Sequence, residues 1–551
     1  MSKRKKGARA RARKESPRTV PLEQLQAILQ RTKAVLNEQD QSTLQSAVQT
    51  LVFLTEELAA KGATIERLRR MLFGATTEKT ARVVPAGQDH SVAGLYGPDE
   101  DKTKPAGHGR NAAAAYHGAR KIKVGHLSLC TGSQCPECPK GKVYPLAEPA
   151  VLVRVTGMAP LSATVYEMER LRCNLCGQVF TAASPAGVGE AKYDHTAAVM
   201  VGLLKYGAGL PFNRIERLQR AMGIPLPAAT AWDLVRRAAD MLLPVHGRLI
   251  EEAAQGEVLH NDDTSVKILE FCASRQPDAE EDKGQEDEHH QDRRGVFTSA
   301  IVAQAGTRRI ALFFSGRKHA GENLADLLAH RAAELTGPIQ MCDALSRNTP
   351  AELKTVLASC LAHARRRFVE VADNFPEECR YLLESLRQVY HNDALARERG
   401  MSDEQRLGFH QAESAAVMTA LEGWLAEQIE QRKVEPNSGL GEAIGYMRKH
   451  WSKLTLFLRV PGAPLDNNVC ERALKKAILH RKNALFYKTL NGARVGDAFM
   501  SLIHTAEIGG VDPFPYLVAL LRHHQQVAEN PGDWMPWNYT ATVERLDALP
   551  P

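Results

Sequence analysis

Four β-prone runs follow one another along the middle of the chain: VLHNDDTSVKILEF (258–271), VFTSAIVAQ (296–304), RRIALFFS (308–315) and GPIQMCD (337–343). Their β-branched and aromatic residues, bounded by Gly, Pro and polar residues, are typical of strands. A helical pattern over 322–336 separates the third run from the fourth, and further helical patterns fill 465–523. The sequence therefore predicts an α/β core over 251–525.

Three carboxylates lie at positions that such a core would bring together. Asp262 is within the first run, Asp343 ends the fourth, and Glu471 opens a later helix. Carboxylate oxygens are the ligands that Mg²⁺ prefers, and two such ions stabilise the attacking and leaving oxygens of a phosphoryl displacement. The order β-β-β-α-β matches a ribonuclease-H-like core, in which the three residues would be metal ligands. From composition alone each would more often be a surface or capping residue; Asp466, for example, suits a helix N-cap.

Two C-x-x-C pairs, Cys135–Cys138 and Cys173–Cys176, are separated by 34 residues. Four thiolates on two tight turns meet the tetrahedral demand of one structural Zn²⁺. Together with the β-prone residues around them, they predict a zinc-ribbon-like unit over 128–186; incidental thiols or a redox pair are the alternatives. Ten cysteines in 551 residues are too few for a disulfide scaffold, so a reducing cytoplasm is expected.

The residues before the zinc-ribbon-like unit differ sharply in composition. Residues 1–20 form a basic arm with no apolar signal-peptide core, predicted to be disordered and either to contact nucleic acid or to be a solubilising tail. In the helical segment 21–80, apolar residues recur every seven positions from Leu44 to Leu72. This spacing predicts a coiled coil and self-association, with an amphipathic helix packed on its own domain as the alternative. Residues 81–127 are predicted to be a linker.

Residues 187–250 contain two helical patterns separated by Gly223-Ile224-Pro225. The first ends near Ala221 and the second runs from Ala228 to Met241, which is the length of a helix-turn-helix. Such a unit would place Thr230, Trp232 and Asp233 near the start of a DNA-contacting helix. An ordinary pair of packed helices is the alternative.

The net charge of +7, from 71 Lys and Arg against 64 Asp and Glu, is unevenly distributed. Residues 1–20 carry +8, while the stretch 278–292, within a predicted acidic loop over 275–294, carries −7 and leaves the rest at +6. Basic residues cluster after Cys360 and around Glu471, where they predict contacts with a phosphate backbone or form a solvated helix face. The candidates for DNA contact are Arg365, Arg366, Arg472, Lys475, Lys476, Arg481 and Lys482. No uncharged apolar run is long enough to predict a membrane span.

Several segments resemble the insertion-sequence-66 transposase family, and they occur in the family's order from about 60 to 520. The first half carries ERLRRMLFGATTEK (66–79), the paired cysteines and LPFNRIERLQRAMGIPLPAATAWDLV (210–235). The second half carries DDTSVKIL (262–269), CLAHARRRF (360–368), LDNNVCERALKKAILHRKN (465–483), LFYKTLNGAR (485–494) and SLIHTAEIGGVDPFPYL (501–517). The chain departs from the family pattern at Asp263, where Glu is usual, and in Ala-Leu-Ser-Arg-Asn after Asp343.

The resemblance implies an Asp-Asp-Glu transposase. Asp262, Asp343 and Glu471 would hold two catalytic Mg²⁺, and metal-activated water would cleave the 3′ end of the element before strand transfer to target DNA. Asp262 takes the family's first acidic position, and the adjacent Asp263 would point to the opposite face of the strand. The 128 residues from Asp343 to Glu471 imply a helical insertion at about 351–455, with Cys360-x-x-His363 giving structural support near the site; two visible ligands do not predict a zinc site there.

The sequence thus predicts a multidomain α+β protein: a coiled-coil helix, a zinc ribbon with one Zn²⁺, a helix-turn-helix, and a ribonuclease-H-like core followed by a tail over 526–551. Its partners would be double-stranded DNA, further copies of the chain and accessory proteins of the same element, on the nucleoid in the cytoplasm. One alternative is a catalytically silent DNA-binding protein derived from such a transposase. Another is a ribonuclease-H-like nuclease that does not join strands.

Overall fold

The computed structural model describes residues 131–134, 141–144, 160–172, 179–183, 185, 189, 191–273, 295–348 and 354–548. The basic arm, the coiled-coil segment, the linker, the acidic stretch 278–292 and the four paired cysteines lie outside these residues, so the predictions for them stay predictions. Among the described helices, none is both long and apolar enough to cross a membrane.

In the described residues, seven strands form two sheets in a mixed α+β structure. They are β1 Arg170–Arg172, β2 Val179–Thr181, β3 Val258–Ser265, β4 Phe297–Ala305, β5 Arg308–Gly316, β6 Ile339–Cys342 and β7 Val356–Ser359. β1 and β2 form an antiparallel hairpin. The other five form one mixed sheet in the order β5-β4-β3-β6-β7, with β3, β4 and β5 antiparallel and β3, β6 and β7 parallel.

Sixteen helices accompany these strands in the described residues. They are α1 His195–Gly202, α2 Phe212–Ala221, α3 Ala228–Ala254, α4 Glu270–Ala273, α5 Ala320–Leu328, α6 Leu361–Val371, α7 Pro376–Glu398, α8 Asp403–Glu413, α9 Ala415–Glu430, α10 Gly439–Lys449, α11 Trp451–Leu454, α12 Asn468–Ala484, α13 Leu490–Ile508, α14 Pro513–Arg522, α15 His524–Glu529 and α16 Tyr539–Asp547. One apolar core joins α3, α12 and α13 to β3, β4 and β5. A second core joins helices α6, α7, α9, α10 and α11 to the β6–β7 side of the sheet.

All four predicted strands are present, but the region predicted to be helical from 351 contains a fifth. β7 extends the sheet by pairing in parallel with β6. The prediction of continuous helix from 351 was therefore wrong, and the helices between Asp343 and Glu471 begin only at Leu361. β7 has four residues, too few to show a periodicity of its own, and its place is fixed by the neighbouring strand.

The helix-turn-helix candidate consists of α2 and α3, joined by a turn in which Gly223 has a φ of 76°. α3 does not end near Met241 but continues to Ala254. One face of it, including Val235, Leu242 and Leu249, is buried in the first core. Trp232 packs edge-on against Phe212, with ring centroids 6.3 Å apart. The C-terminal part of α3 is therefore a structural support of the sheet, and a DNA contact through its first turn stays a prediction.

Two glycines of this unit should respond oppositely to alanine. Gly223→Ala should destabilise the fold by about 1–2 kcal/mol, because a Cβ disfavours left-handed backbone. Gly247→Ala should stabilise it by roughly 0.5–1 kcal/mol, because Gly247 lies inside α3 and no described atom is within 4 Å of its added Cβ. Thermal unfolding of the two variants checks both signs, and a loss of stability in each would contradict this account of the turn.

The C-terminal residues pack onto the core, so the predicted tail over 526–551 was wrong for residues up to 548. Trp534 is 1% exposed, its ring stacks on His523 at 5.2 Å, and its carbonyl accepts a hydrogen bond from Tyr516 Oη at 3.0 Å. The Arg308 guanidinium of β5 lies 4.8 Å from the ring centroid of Trp537. The buried aromatic surface explains why a segment containing several prolines is folded.

Candidate active site

The three predicted carboxylates lie on elements that meet at the centre of the sheet. Asp262 is on the central strand β3, and Asp343 directly follows β6. The parallel register pairs His260 with Met341, and Asp262 and Asp343 each lie two residues further along their strands. Glu471 is in the first turn of α12, which packs against β3 and β4. The structure therefore brings the three residues together.

The three carboxylates interact electrostatically. Burial, together with the negative charges of Asp343, Asp263 and Glu471, raises the pKa of Asp262 to about 7, against a hydrogen bond from the Asp263 N–H. That N–H donates to Asp262 Oδ1 at 2.8 Å. Like charges around a buried carboxylate make its ionisation costly unless a cation is bound. The donor set therefore suits hard divalent cations, which prefer carboxylate oxygens.

Asp263 points to a different environment from Asp262. Its side chain is 1% exposed, and its Oδ2 lies 2.9 Å from His319 Nδ1. Its Oδ1 lies 3.4 Å from Arg347 Nη2. The second acid of the Asp262-Asp263 pair is thus engaged by residues around the N-terminus of α5 and the segment after β6.

A buried amide network, which the sequence did not reveal, holds Asp343. Asn348 Nδ2 donates to Asp343 Oδ1. The Asn348 carbonyl in turn accepts hydrogen bonds from Gln340 Nε2 at 2.7 Å and Asn261 Nδ2 at 3.2 Å. Asn348 ends the Ala-Leu-Ser-Arg-Asn stretch in which the chain departs from the family pattern. One sequence signal could have indicated this network: Asn261 and Gln340 lie inside two β-prone runs. Amides buried in a sheet need hydrogen-bond partners, so a third polar residue was to be expected near them.

Asn467 was also missed, and it links three elements at the site. The residue is fully buried immediately before α12. Its backbone N–H donates to Cys360 Sγ at 3.2 Å, its Nδ2 donates to the Asn261 carbonyl at 3.2 Å, and its Oδ1 lies 3.1 Å from His260 Nδ1. Burial lowers the pKa of His260 to about 4, so its ring is neutral and donates to Oδ1. Asn467 therefore fixes the start of the helix that carries Glu471.

The Glu471 carboxylate faces the beginning of α6. Its Oε1 lies 3.6 Å from His363 Nε2, and its Oε2 lies 3.9 Å from Arg366 Nη2. Oε1 is buried and has no hydrogen-bond partner in the described part of the chain. The Cys360-x-x-His363 motif is thus adjacent to Glu471, close to the predicted site.

The predicted DNA-contacting cations differ in their surroundings. Arg481 Nη1 donates to Thr264 Oγ1 at 2.9 Å and also to Ser265, at the end of β3, and Lys476 Nζ lies 2.9 Å from Glu507 Oε2. Arg481 and Lys476 thus have partners within the protein. On α12 the exposed cations are Arg472, Lys475 and Lys482. Arg365 and Arg366 lie on α6, next to the Arg367 guanidinium, which lies 4.0 Å from the ring centroid of Tyr446.

A cavity of about 290 Å³ opens beside Asp343. It is lined by Asp343, Ala344, Leu345, His363, Arg366, Arg367, Glu370 and Tyr446. One wall is therefore a predicted catalytic carboxylate, and another carries two arginines and a histidine.

Residues 191–495 match the sequence model of the transposase IS66 family. The match covers more than half of the chain and includes Asp262, Asp343 and Glu471. The protein belongs to the transposase IS66 family. Because the family is one of transposases, membership indicates a transposase role for this IS66-family protein.

Curated relatives of the IS66-family protein come from Sinorhizobium fredii (strain NBRC 101917 / NGR234). The uncharacterized protein y4jD is 25% identical over 504 residues, which are 87% of this chain and 94% of y4jD. The uncharacterized protein y4hP is 25% identical over 511 residues, covering 86% and 88% of the two chains. The uncharacterized protein y4qI is 26% identical over 351 residues, covering 62% and 61%. The similarity to y4jD and y4hP extends well beyond the family match.

Proposed function

We propose that this IS66-family protein is an Asp-Asp-Glu transposase that cleaves DNA at the element ends and joins it to target DNA. The observation that carries the proposal is the convergence of Asp262, Asp343 and Glu471 from β3, β6 and α12. The strand order β5-β4-β3-β6-β7, with one antiparallel strand between β3 and β5, supports a ribonuclease-H-like core. Within the core, the helices from Leu361 to Leu454 would be an insertion between the second and third carboxylates.

The three carboxylates would hold two Mg²⁺. When bound, the ions would stabilise the charge on the attacking and leaving oxygens of an in-line displacement at phosphorus. The buried residues around them would keep the ligands in place: Asn348 orients Asp343, and Asn467 fixes the start of α12. The buried, unpartnered Oε1 of Glu471 supports the same proposal, because a bound cation would satisfy it.

The DNA would lie along the cavity beside Asp343 and the exposed side of α12. Arg366 and Arg367 line the cavity, so they would contact phosphates flanking the cleaved bond. The exposed Arg472, Lys475 and Lys482 would extend this contact along the duplex. Backbone contacts of this kind fix position and make binding fall steeply with salt. Arg481 and Lys476 would support this surface structurally, because Arg481 bonds to Ser265 and Lys476 pairs with Glu507.

Recognition of the element ends would use the N-terminal part of the chain. In the described residues, Gln134 and Lys142 pair across the first C-x-x-C segment, and β1 and β2 pair across the second. One bridge and one hairpin, each with a cysteine pair in the intervening sequence, support a zinc ribbon with one structural Zn²⁺. The α2–α3 unit would add DNA contacts, and the predicted coiled coil would pair two ends in a homo-oligomer. Accessory proteins of the same element would be further partners.

A reconstituted reaction tests this proposal. The full chain is incubated with a labelled DNA fragment carrying the element's own ends, with and without Mg²⁺. We expect Mg²⁺-dependent cleavage at the 3′ ends and a product joined to target DNA. Binding without cleavage in Mg²⁺ or Mn²⁺ would instead indicate a silent DNA-binding protein, and cleaved product without joined product would indicate a nuclease.

A further inference from the structure

A second set of metal-ligand side chains lies next to the carboxylates. Cys360 is the residue before α6, His363 is in the first turn of α6, and Glu471 comes from α12. One ligand atom from each lies within 4.8 Å of the others. The 3.6 Å between His363 Nε2 and Glu471 Oε1 is close to the separation of about 3.3–3.6 Å expected for two ligands of one tetrahedral Zn²⁺.

Two backbone N–H groups donate to the buried Cys360 sulfur. Cys360 is fully buried, and its Sγ receives hydrogen bonds from the backbone N–H groups of Asn467 and His363. Backbone donors of this kind stabilise the negative charge on metal-bound sulfur. Among the atoms the structure describes, neither His363 Nδ1 nor Glu471 Oε1 has a hydrogen-bond partner, although both are buried.

We propose that Cys360, His363 and Glu471 form a binding site for a divalent cation of the Zn²⁺ class, distinct from the Mg²⁺ pair. A thiolate, an imidazole and a carboxylate together favour Zn²⁺ over Mg²⁺, which takes oxygen ligands. Binding would replace the proton of the Cys360 thiol, which is released to solvent, with the metal. Three protein ligands leave the fourth tetrahedral position open to water.

The shared ligand gives this site a regulatory consequence, which rests on the proposed function. Glu471 would serve both the Zn²⁺-class cation and the Mg²⁺ pair. A cation held by Cys360 and His363 would keep Glu471 Oε1 facing α6 and weaken its contribution to the catalytic pair. Zn²⁺ is therefore expected to oppose Mg²⁺ in the DNA reaction, although binding of the cation itself does not depend on that reaction.

Cobalt spectroscopy on the full chain tests the site. One equivalent of Zn²⁺ first fills the predicted four-cysteine site, and Co²⁺ is then titrated. We expect a thiolate-to-cobalt charge-transfer band in the wild type that is lost in Cys360→Ser. Cys379→Ser, which changes another fully buried cysteine on α7, should keep the band. Glu471→Gln should keep the band with an affinity for Co²⁺ lower by roughly 10–100-fold.

Two results would overturn the inference. One is an unchanged band in Cys360→Ser with a native circular dichroism spectrum; the other is no band in the wild type. His363→Gln covers the case in which Cys360→Ser does not fold, because losing the imidazole should weaken Co²⁺ binding while the sulfur remains. The cobalt band is measured independently of DNA cleavage. A band without cleavage supports the metal site and contradicts the proposed transposase activity. Cleavage without a band supports the transposase activity and contradicts the metal site.

Discussion

Asp262→Asn should abolish DNA cleavage and at the same time stabilise the Mg²⁺-free protein. The amide cannot replace an anionic ligand, and losing several kcal/mol of metal-dependent stabilisation corresponds to roughly a thousandfold or more in rate. The wild-type carboxylate is buried beside Asp343, Asp263 and Glu471, so without a cation its ionisation opposes folding. The neutral amide of nearly equal shape removes that cost.

The difference in stability between Asp262→Asn and the wild type should depend on pH, because the pKa of Asp262 is raised in the folded protein. Asp262 has a pKa of about 7 in the folded protein, against the ordinary value of 3.8 for an exposed aspartate. Below about pH 4 the carboxyl is protonated in both states, so the two proteins should be equally stable. As the pH rises toward 7, the folded wild type retains a proton that the unfolded chain loses, and its stability falls. Above pH 7 the full cost applies, roughly 4 kcal/mol at 1.36 kcal/mol per pKa unit.

Thermal unfolding at pH 4 and pH 8 in Mg²⁺-free buffer measures this difference, and the labelled-DNA assay measures cleavage. Asp326→Asn is the matched control, because Asp326 is an exposed acid paired with Lys318 and should change neither quantity. Adding Mg²⁺ at pH 8 should stabilise the wild type more than Asp262→Asn. Wild-type cleavage by Asp262→Asn would refute the ligand assignment, and equal stabilisation at both pH values would refute the electrostatic account.

Asn467→Ala should weaken both the fold and the catalytic step. The truncation leaves the buried His260 Nδ1–H and the Asn261 carbonyl without their partners. Each unsatisfied buried group costs about 1–3 kcal/mol, so the expected loss of stability is roughly 2–6 kcal/mol. Because Asn467 fixes the start of α12, Glu471 should also shift, and a displacement of about 1 Å at a catalytic group can lower the rate roughly a hundredfold.

The neighbouring Asn468 provides the control for this positioning role. Asn468 Nδ2 donates to Asp466 Oδ2 at 2.7 Å in a half-buried setting, so Asn468→Ala should have a much smaller effect. Asn467→Asp keeps the acceptor for His260 but loses the donor to Asn261 and buries a carboxyl, so it should be at least as destabilising as Asn467→Ala. The lowered rate in Asn467→Ala should appear at saturating DNA, with affinity for the DNA ends little changed. Equal behaviour of the two alanine variants would rule out the proposed role.

The core strands and the candidate carboxylates could be predicted because their signals are local. β-Branched alternation identifies β3 to β6 over stretches of a few residues, and acids within or directly after such stretches are conspicuous. The order of the family-like segments strengthened the assignment of the third carboxylate, Glu471, which no short-range pattern connects to Asp262. The turn at Gly223 was predictable for the same local reason.

The residues that support the site could not be found in this way. Asn467 contacts residues 206 and 207 positions away in the sequence, and Arg481 contacts the end of β3 across 216 and 217 positions. Whether a polar side chain is buried, and with which partner, depends on chain segments that become neighbours only on folding. Arg481 and Lys476 therefore looked like a continuous basic surface in the sequence, whereas the fold gives each a partner.

By itself, the sequence determined the types and order of the elements and the acids that they carry, because periodicity and residue type act over short stretches. The tertiary structure decided three other features: the edge strand β7, the packing of the C-terminal residues around Trp534, and the meeting of Cys360 and His363 with Glu471. Each depends on a partner distant in the chain: β6 for β7, Tyr516 and His523 for Trp534, and the Asn467 turn for Cys360. The physical reason is that pairing and burial are properties of surfaces brought together by the fold.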